Sequence, residues 1–201
     1  DVYKRQALLS RVEWTESLGA PLSVALVQGA VPQAIKWQPE YRGATLELYS
    51  QLSEPHWGKE VVIWPETAIP AFPADIKDFL DVMGTRAREA GTAFLLGMPT
   101  GDPRGRYFNS LVMLGVAEGR YDKRHLVPYG EYLPMETLLR PLLDFLLIPM
   151  SSFTAGKARQ APLAAGRLKF GASICYEDAY GSEVRKPLPE ANVLVNVSDD
   201  A

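Results

Sequence analysis

Six short, mainly apolar runs rich in Val, Ile and Leu recur along the chain: Leu22–Val27, Val61–Trp64, Ala93–Leu96, Leu111–Leu114, Leu168–Ile174 and Val193–Val197. A strand with one wet face would alternate apolar with polar residues. These runs do not, so they predict strands covered on both faces. Two stripes at helical spacing lie between them. Tyr41, Ala44, Leu48 and Leu52 share one face; Ile76, Phe79, Leu80, Met83, Ala87 and Ala90 share another, with Asp75 placed to cap it. Alternation of strand and helix predicts an α/β layered fold in one domain. Asp102–Arg106 reads as a surface turn. From Leu133 to Gly156 the chain is rich in Leu, Pro and Met without strand alternation, which predicts a helix pair or a loop with exposed apolar side chains.

Composition narrows the partners. A 47% hydrophobic share with 22% charged residues suits a globular core and argues against disorder. A net charge of -3 supplies no basic field, so nucleic acid is not an expected partner. The single cysteine excludes an internal disulfide, and with two histidines it argues against a dedicated zinc site. No stretch reaches the roughly 20 apolar residues of a membrane span. Leu138–Met150 comes nearest but is interrupted by Arg140, Pro141 and Asp144. The start is charged and has no signal-peptide core. Asp1–Gln6 resemble a translated library-adapter sequence and are expected to lie outside the fold. Residues 7–22 are expected to be a linker, and residues 23–201 the domain proper. Its last strand lies so close to Ala201 that a C-terminal truncation is expected.

Three polar groups stand where sheet-building has no need of them. Glu66 follows Val61–Trp64, Cys175 follows Phe170–Ile174, and Lys123 precedes the loop Leu126–Pro134. Ligands of open α/β sheets bind beyond the carboxyl ends of strands, where such groups would converge. A thiol needs a base or a nearby cation to act as a nucleophile at neutral pH. Glu66 can take and return the thiol proton, and Lys123 can stabilise an oxyanion. That combination would carry acyl transfer through a thioester with no metal or organic cofactor. Each signal also has a plain structural reading: Cys175 as a small buried hydrophobe, Glu66 and Lys123 as solvated charges, Pro65 as a strand end. His125 offers a second base and hence a Cys–His pair.

Trp64-Pro65-Glu66-Thr67, Lys123-Arg124-His125-Leu126-Val127-Pro128 and Cys175-Tyr176-Glu177 resemble, in order, the three motif regions of the nitrilase (carbon–nitrogen hydrolase) superfamily. The flanks resemble one branch of it, the apolipoprotein N-acyltransferases. These flanks are Val27-Gln28-Gly29, Pro32-Gln33, Lys36-Trp37, the stretch Leu126–Pro134 reading LVPYGEYLP, Pro149–Phe153, and Asn196–Ala201. The match runs from about Val24 to the last residue.

The resemblance implies an α-β-β-α sandwich with Glu66 as general base, Lys123 as oxyanion stabiliser and Cys175 as nucleophile. It also implies Glu131 as a supporting carboxylate, and Trp37, Asn109, Tyr176 and Glu177 as supporting positions. The activity implied is ping-pong acyl transfer at the periplasmic face of a bacterial inner membrane. A phospholipid would be the acyl donor, and the α-amino group of a lipoprotein's diacylglyceryl-cysteine the acceptor. Membrane helices outside this domain would supply the anchor, and Leu138–Met150 would dip into the interface or line an acyl channel. Two other readings share the architecture: a soluble amidase in which water resolves the thioester, and a silent binding domain. The chain departs from the family's Ser-Asn-Asp at Ser198-Asp199-Asp200, and an extra carboxylate near a thiol is expected to raise its pKa.

Overall fold

The computed structural model describes residues 2–13, 16, 19–128, 130–132 and 153–199. The elements run α1 (Val2–Leu9), β1 (Val24–Leu26), α2 (Gln33–Lys36), α3 (Arg42–Ser53), β2 (Val61–Ile63), α4 (Lys77–Glu89), β3 (Ala93–Gly101), β4 (Tyr107–Gly115), β5 (Gly119–Asp122), β6 (Leu163–Ala165), β7 (Leu168–Ile174), α5 (Gly181–Val184) and β8 (Val193–Val197). One sheet has the order β1-β2-β3-β4-β5, and a second the order β6-β7-β8. Strands β1 to β3 are parallel, while β3 to β5 are antiparallel. In the second sheet β6 is antiparallel to β7, and β8 is parallel to it.

The unbroken apolar runs are explained by two cores, one on each face of the first sheet. Side chains alternate between faces along a strand. Val61, Ile63, Ala93 and Leu95 therefore point to the second sheet, where they meet Phe170, Ile174 and Val195. Their neighbours Val62, Trp64, Phe94 and Leu96 point the other way, toward Tyr49 of α3 and Met83 and Ala87 of α4. This gives the helix–sheet–sheet layering of a nitrilase-like α/β fold. Helix α1 buries none of its residues, whereas Leu22 already packs against the inter-sheet core.

The first helical stripe needs correction; the second packs into the core as expected, and only its cap does not hold. The buried face of α3 is Thr45, Tyr49 and Ser53, while Tyr41, Ala44 and Leu52 are exposed. Hydroxyls make that polar face suited to burial: the Trp64 indole N–H donates to Ser53 Oγ at 2.9 Å, and Thr45 Oγ1 donates to the Tyr41 carbonyl at 3.0 Å. In α4 the stripe is right at Met83 and Ala87, but Asp75 caps nothing. It lies inside a 3-10 turn, Pro73–Ile76, that leads into the helix. Strands β5 and β6 had no apolar run to announce them. The Asp102–Arg106 turn closes the β3–β4 hairpin, with Asp102 accepting from the Arg104 and Arg106 backbone N–H groups. The segment from Leu133, including Leu138–Met150 and its expected interfacial role, falls almost wholly outside the described residues. Among the described residues, no helix is long and apolar enough to cross a membrane.

Candidate active site

Strands β2, β5, β7 and β8 each end in a loop that delivers one polar group to the same place. The β2 loop carries Glu66, and it lies so close to β3 that only glycine fits at residue 97. A β-carbon there would come within 2.6 Å of the Glu66 Cα. Lys123 follows β5 directly, and its N–H donates to the Asn109 carbonyl of β4 at 2.8 Å. Cys175 follows β7 in a short 3-10 turn, Cys175–Ala179. Its φ of 50° lies in the left-handed region, which a side chain rarely adopts outside sites where the fold imposes it.

Glu66 and Lys123 are both buried. Lys123 Nζ donates to Glu66 Oε1 at 3.0 Å and to Glu131 Oε1 at 3.1 Å. The Asn109 side-chain amide donates to the same two oxygens, at 2.7 Å each. Glu131 Oε2 is held by the Val127 N–H at 2.8 Å. One ammonium and one amide thus separate two carboxylates that would otherwise repel. Burial alone would lower the Lys123 pKa, but Glu66 and Glu131 outweigh it, and the group sits above its ordinary value. Lys123 is a fixed cation at neutral pH.

The thiol behaves differently. Burial pushes the Cys175 pKa up; a hydrogen bond from Ser198 opposes this, the Glu66 charge adds to it, and Lys123 opposes it. The net direction is upward, so the resting group is a neutral thiol on which the Glu66 and Lys123 charges act in opposite senses. Ser198 was not foreseen as a site residue. The expected effect of Asp199 on the thiol is muted for a visible reason: its carboxylate is paired with Lys36 and accepts from Gln33 Nε2 at 2.6 Å.

The remaining expected residues divide. Trp37, 54% exposed, lines the Cys175 cavity, as do Asn109 and Glu131. Tyr176 does not: it lies in a neighbouring aromatic groove, where its hydroxyl meets that of Tyr180 at 3.0 Å. His125 lines that groove too, its ring stacked on Tyr180 at 4.2 Å. It is absent from the cavity around Cys175, which removes the structural basis for a Cys–His pair. Glu177, two residues past Cys175, is fully buried. Its Oε1 accepts from the Arg124 and His125 N–H groups at 2.8 and 3.1 Å, and its Oε2 from the Ile174 N–H and the Tyr121 hydroxyl at 2.8 and 2.9 Å. It clamps the lysine loop to the cysteine loop without facing the cavity. That cavity measures about 890 Å³, with Cys175, Glu66, Lys123 and Glu131 in one wall and Trp37, Pro70, Phe72, Pro99, Tyr107 and Phe153 among the apolar rest. Among the described residues, no group of three His, Cys, Asp or Glu side chains could hold a metal ion.

The family model for carbon-nitrogen hydrolases matches residues 23–201. A protein from Methylococcus capsulatus named apolipoprotein N-acyltransferase is 46% identical over 194 residues, 96% of this chain and 38% of that protein. One of the same name from Pseudomonas aeruginosa is 39% identical over 93% of this chain and 37% of its own length. The chain therefore spans less than two-fifths of the curated relatives it matches. Among solved structures, a carbon-nitrogen hydrolase from Helicobacter pylori G27 superimposes with a TM-score of 0.61 at 16% identity. The match covers 88% of this chain and 59% of that one, a likeness of fold. Motif order, layered architecture and the match over residues 23–201 agree that the chain belongs to the carbon-nitrogen hydrolase family.

Proposed function

We propose that this chain is the catalytic domain of an apolipoprotein N-acyltransferase, with Cys175 as nucleophile, Glu66 as general base and acid, and Lys123 as oxyanion stabiliser. The observation that carries the reading is geometric: Cys175 shares a largely apolar cavity with a buried carboxylate and ammonium, Glu66 and Lys123, paired at 3.0 Å. The names of relatives 46% and 39% identical support the choice of transferase.

In the first half-reaction, Cys175 Sγ attacks the ester carbonyl of a phospholipid while its proton passes to Glu66. The carbonyl oxygen becomes an oxyanion facing Lys123. Collapse breaks the ester C–O bond. The departing glycerol oxygen takes the proton from Glu66, and a lysophospholipid leaves. In the second, the α-amine of a diacylglyceryl-cysteine attacks the thioester carbonyl. One amine proton goes to Glu66 and from there to the departing sulfur, leaving an amide product and a restored thiol. Glu131 and Asn109 hold Lys123 and Glu66 in register. Trp37, at the cavity rim, would guide the substrates. The bacterial inner membrane, periplasmic face, is the proposed location, with the anchor supplied by segments outside this chain.

The deciding experiment follows the acyl group. The whole gene product is charged with radiolabelled phospholipid, freed of donor, and offered either buffer or a diacylglyceryl-cysteine peptide. Label should stay on the protein in buffer and move to the peptide amine on its addition. Rapid release as free fatty acid in buffer alone would identify a hydrolase instead.

A further inference from the structure

An ion pair outside the proposed chemistry joins the segment after β1 to the loop after β8. Lys36, the last residue of α2, is 4% exposed. Its Nζ donates to Asp199 Oδ2, the oxygen that also accepts from Gln33 Nε2 at 2.6 Å. A buried ammonium is tolerable only with a counter-charge, and Asp199 supplies it. The backbone of Asp199 serves a second purpose, for its N–H donates to Glu66 Oε2 at 3.3 Å. Lys123 and Asn109 occupy the other oxygen, Oε1. The adjoining Ser198 hydrogen-bonds the Cys175 thiol. One short stretch, anchored at its carboxylate end by α2, thus touches both the base and the nucleophile.

We propose that Lys36 and Asp199 form a positioning pair for the reaction at Cys175. The pair pins the Ser198–Asp199 backbone against Glu66 and the thiol, and the Lys36 ammonium cancels a carboxylate charge that would otherwise bear on the sulfur. This inference rests on the reading of Cys175 as nucleophile and Glu66 as base. Glu66 after β2 and Lys123 after β5 act directly on the thiol; Arg42, Asp75, Glu131 and Asp199 share its cavity, with Glu131 paired to Lys123 and Asp199 to Lys36 of α2. Tyr49 of α3 lies near Asp199. Its hydroxyl is held above the ordinary value by burial, against a hydrogen bond from Gly29, with Asp199's charge adding to the rise.

The test is the pH dependence of iodoacetamide alkylation at the Cys175 peptide, read by mass spectrometry in the whole gene product. Lys36→Met leaves the Asp199 carboxylate uncancelled and should raise the alkylation midpoint by about one pH unit, a tenfold loss of rate below it. Asp199→Asn leaves the ammonium uncancelled and should lower the midpoint, while the double variant should return it near its starting value. Melting temperatures recorded alongside separate loss of fold from loss of charge, since a merely structural defect would not move the two single variants in opposite directions. Shifts of the same sign, or none, would overturn the pair's role. If Glu66→Gln and Lys123→Met also left the wild-type midpoint in place, the acyl-transfer site itself would be the failed premise.

Discussion

Two buried carboxylates near Cys175, Glu66 and Glu177, are held in contrasting ways. Glu177 accepts four hydrogen bonds, three from backbone N–H groups and one from Tyr121, and has an arginine 3.8 Å away. It does not line the Cys175 cavity. Glu66 is nearly as buried but opens on the large cavity that Cys175 also lines. Burial and charge are common to both, so neither marks the working group. What distinguishes them is whether a proton can be exchanged with something that enters. A saturated carboxylate can only hold loops, whereas one that faces a cavity is able to exchange a proton with what enters.

Substitutions should separate the two roles, beginning with the largest effect. Cys175→Ala should abolish N-acylation in a peptide assay, since no other cysteine exists in this chain to replace it. Glu66→Gln should slow acylation by about 10²–10⁴-fold, the usual worth of a general base, with a much smaller change in melting temperature. Glu177→Ala should reverse that emphasis. It strands four donors, and chemical denaturation should show a loss of about 3–5 kcal/mol, as for other broken buried charge networks. The thiol titration gives a finer contrast. Glu66 raises the Cys175 pKa and Lys123 lowers it, so Glu66→Gln should move the alkylation midpoint down even as it slows acylation, and Lys123→Met should move it up. The smallest effect belongs to Asp75→Ala. With no cap to lose, it should change stability by less than about 0.5 kcal/mol in the same denaturation assay.

The pattern of what was legible follows from the range of each interaction. Strands β2, β3 and β7 were readable because both their faces are buried, which writes an unbroken apolar run. Strand β5, with sequence GRYD, and β6, three residues between Pro162 and Gly166, are too short and mixed to write one. The α3 face was misread because Thr45, Tyr49 and Ser53 bury hydroxyls that find partners, while the apolar-looking stripe beside them stays exposed. Glu66 and Cys175 stood out as polar residues at the ends of apolar runs, and Lys123 as a charge just before the loop Leu126–Pro134. The Lys36–Asp199 pair did not: Asp199 was noted as a departure from the family pattern, but its partner lies 163 residues away, and only the fold joins them. Glu177 could be singled out by its motif, but its buried place beside Cys175 depends on Arg124 and Tyr121, which only the fold brings to it.

The central claim is that an acyl group resides on one sulfur. Phospholipid is incubated with the whole gene product in the absence of acceptor, and the Cys175 peptide is weighed before and after neutral hydroxylamine. A mass increase of one acyl chain on that peptide, removed by hydroxylamine and missing from Cys175→Ala, is the expected result. An acyl adduct on any other residue, or one that survives in Cys175→Ala, would contradict it.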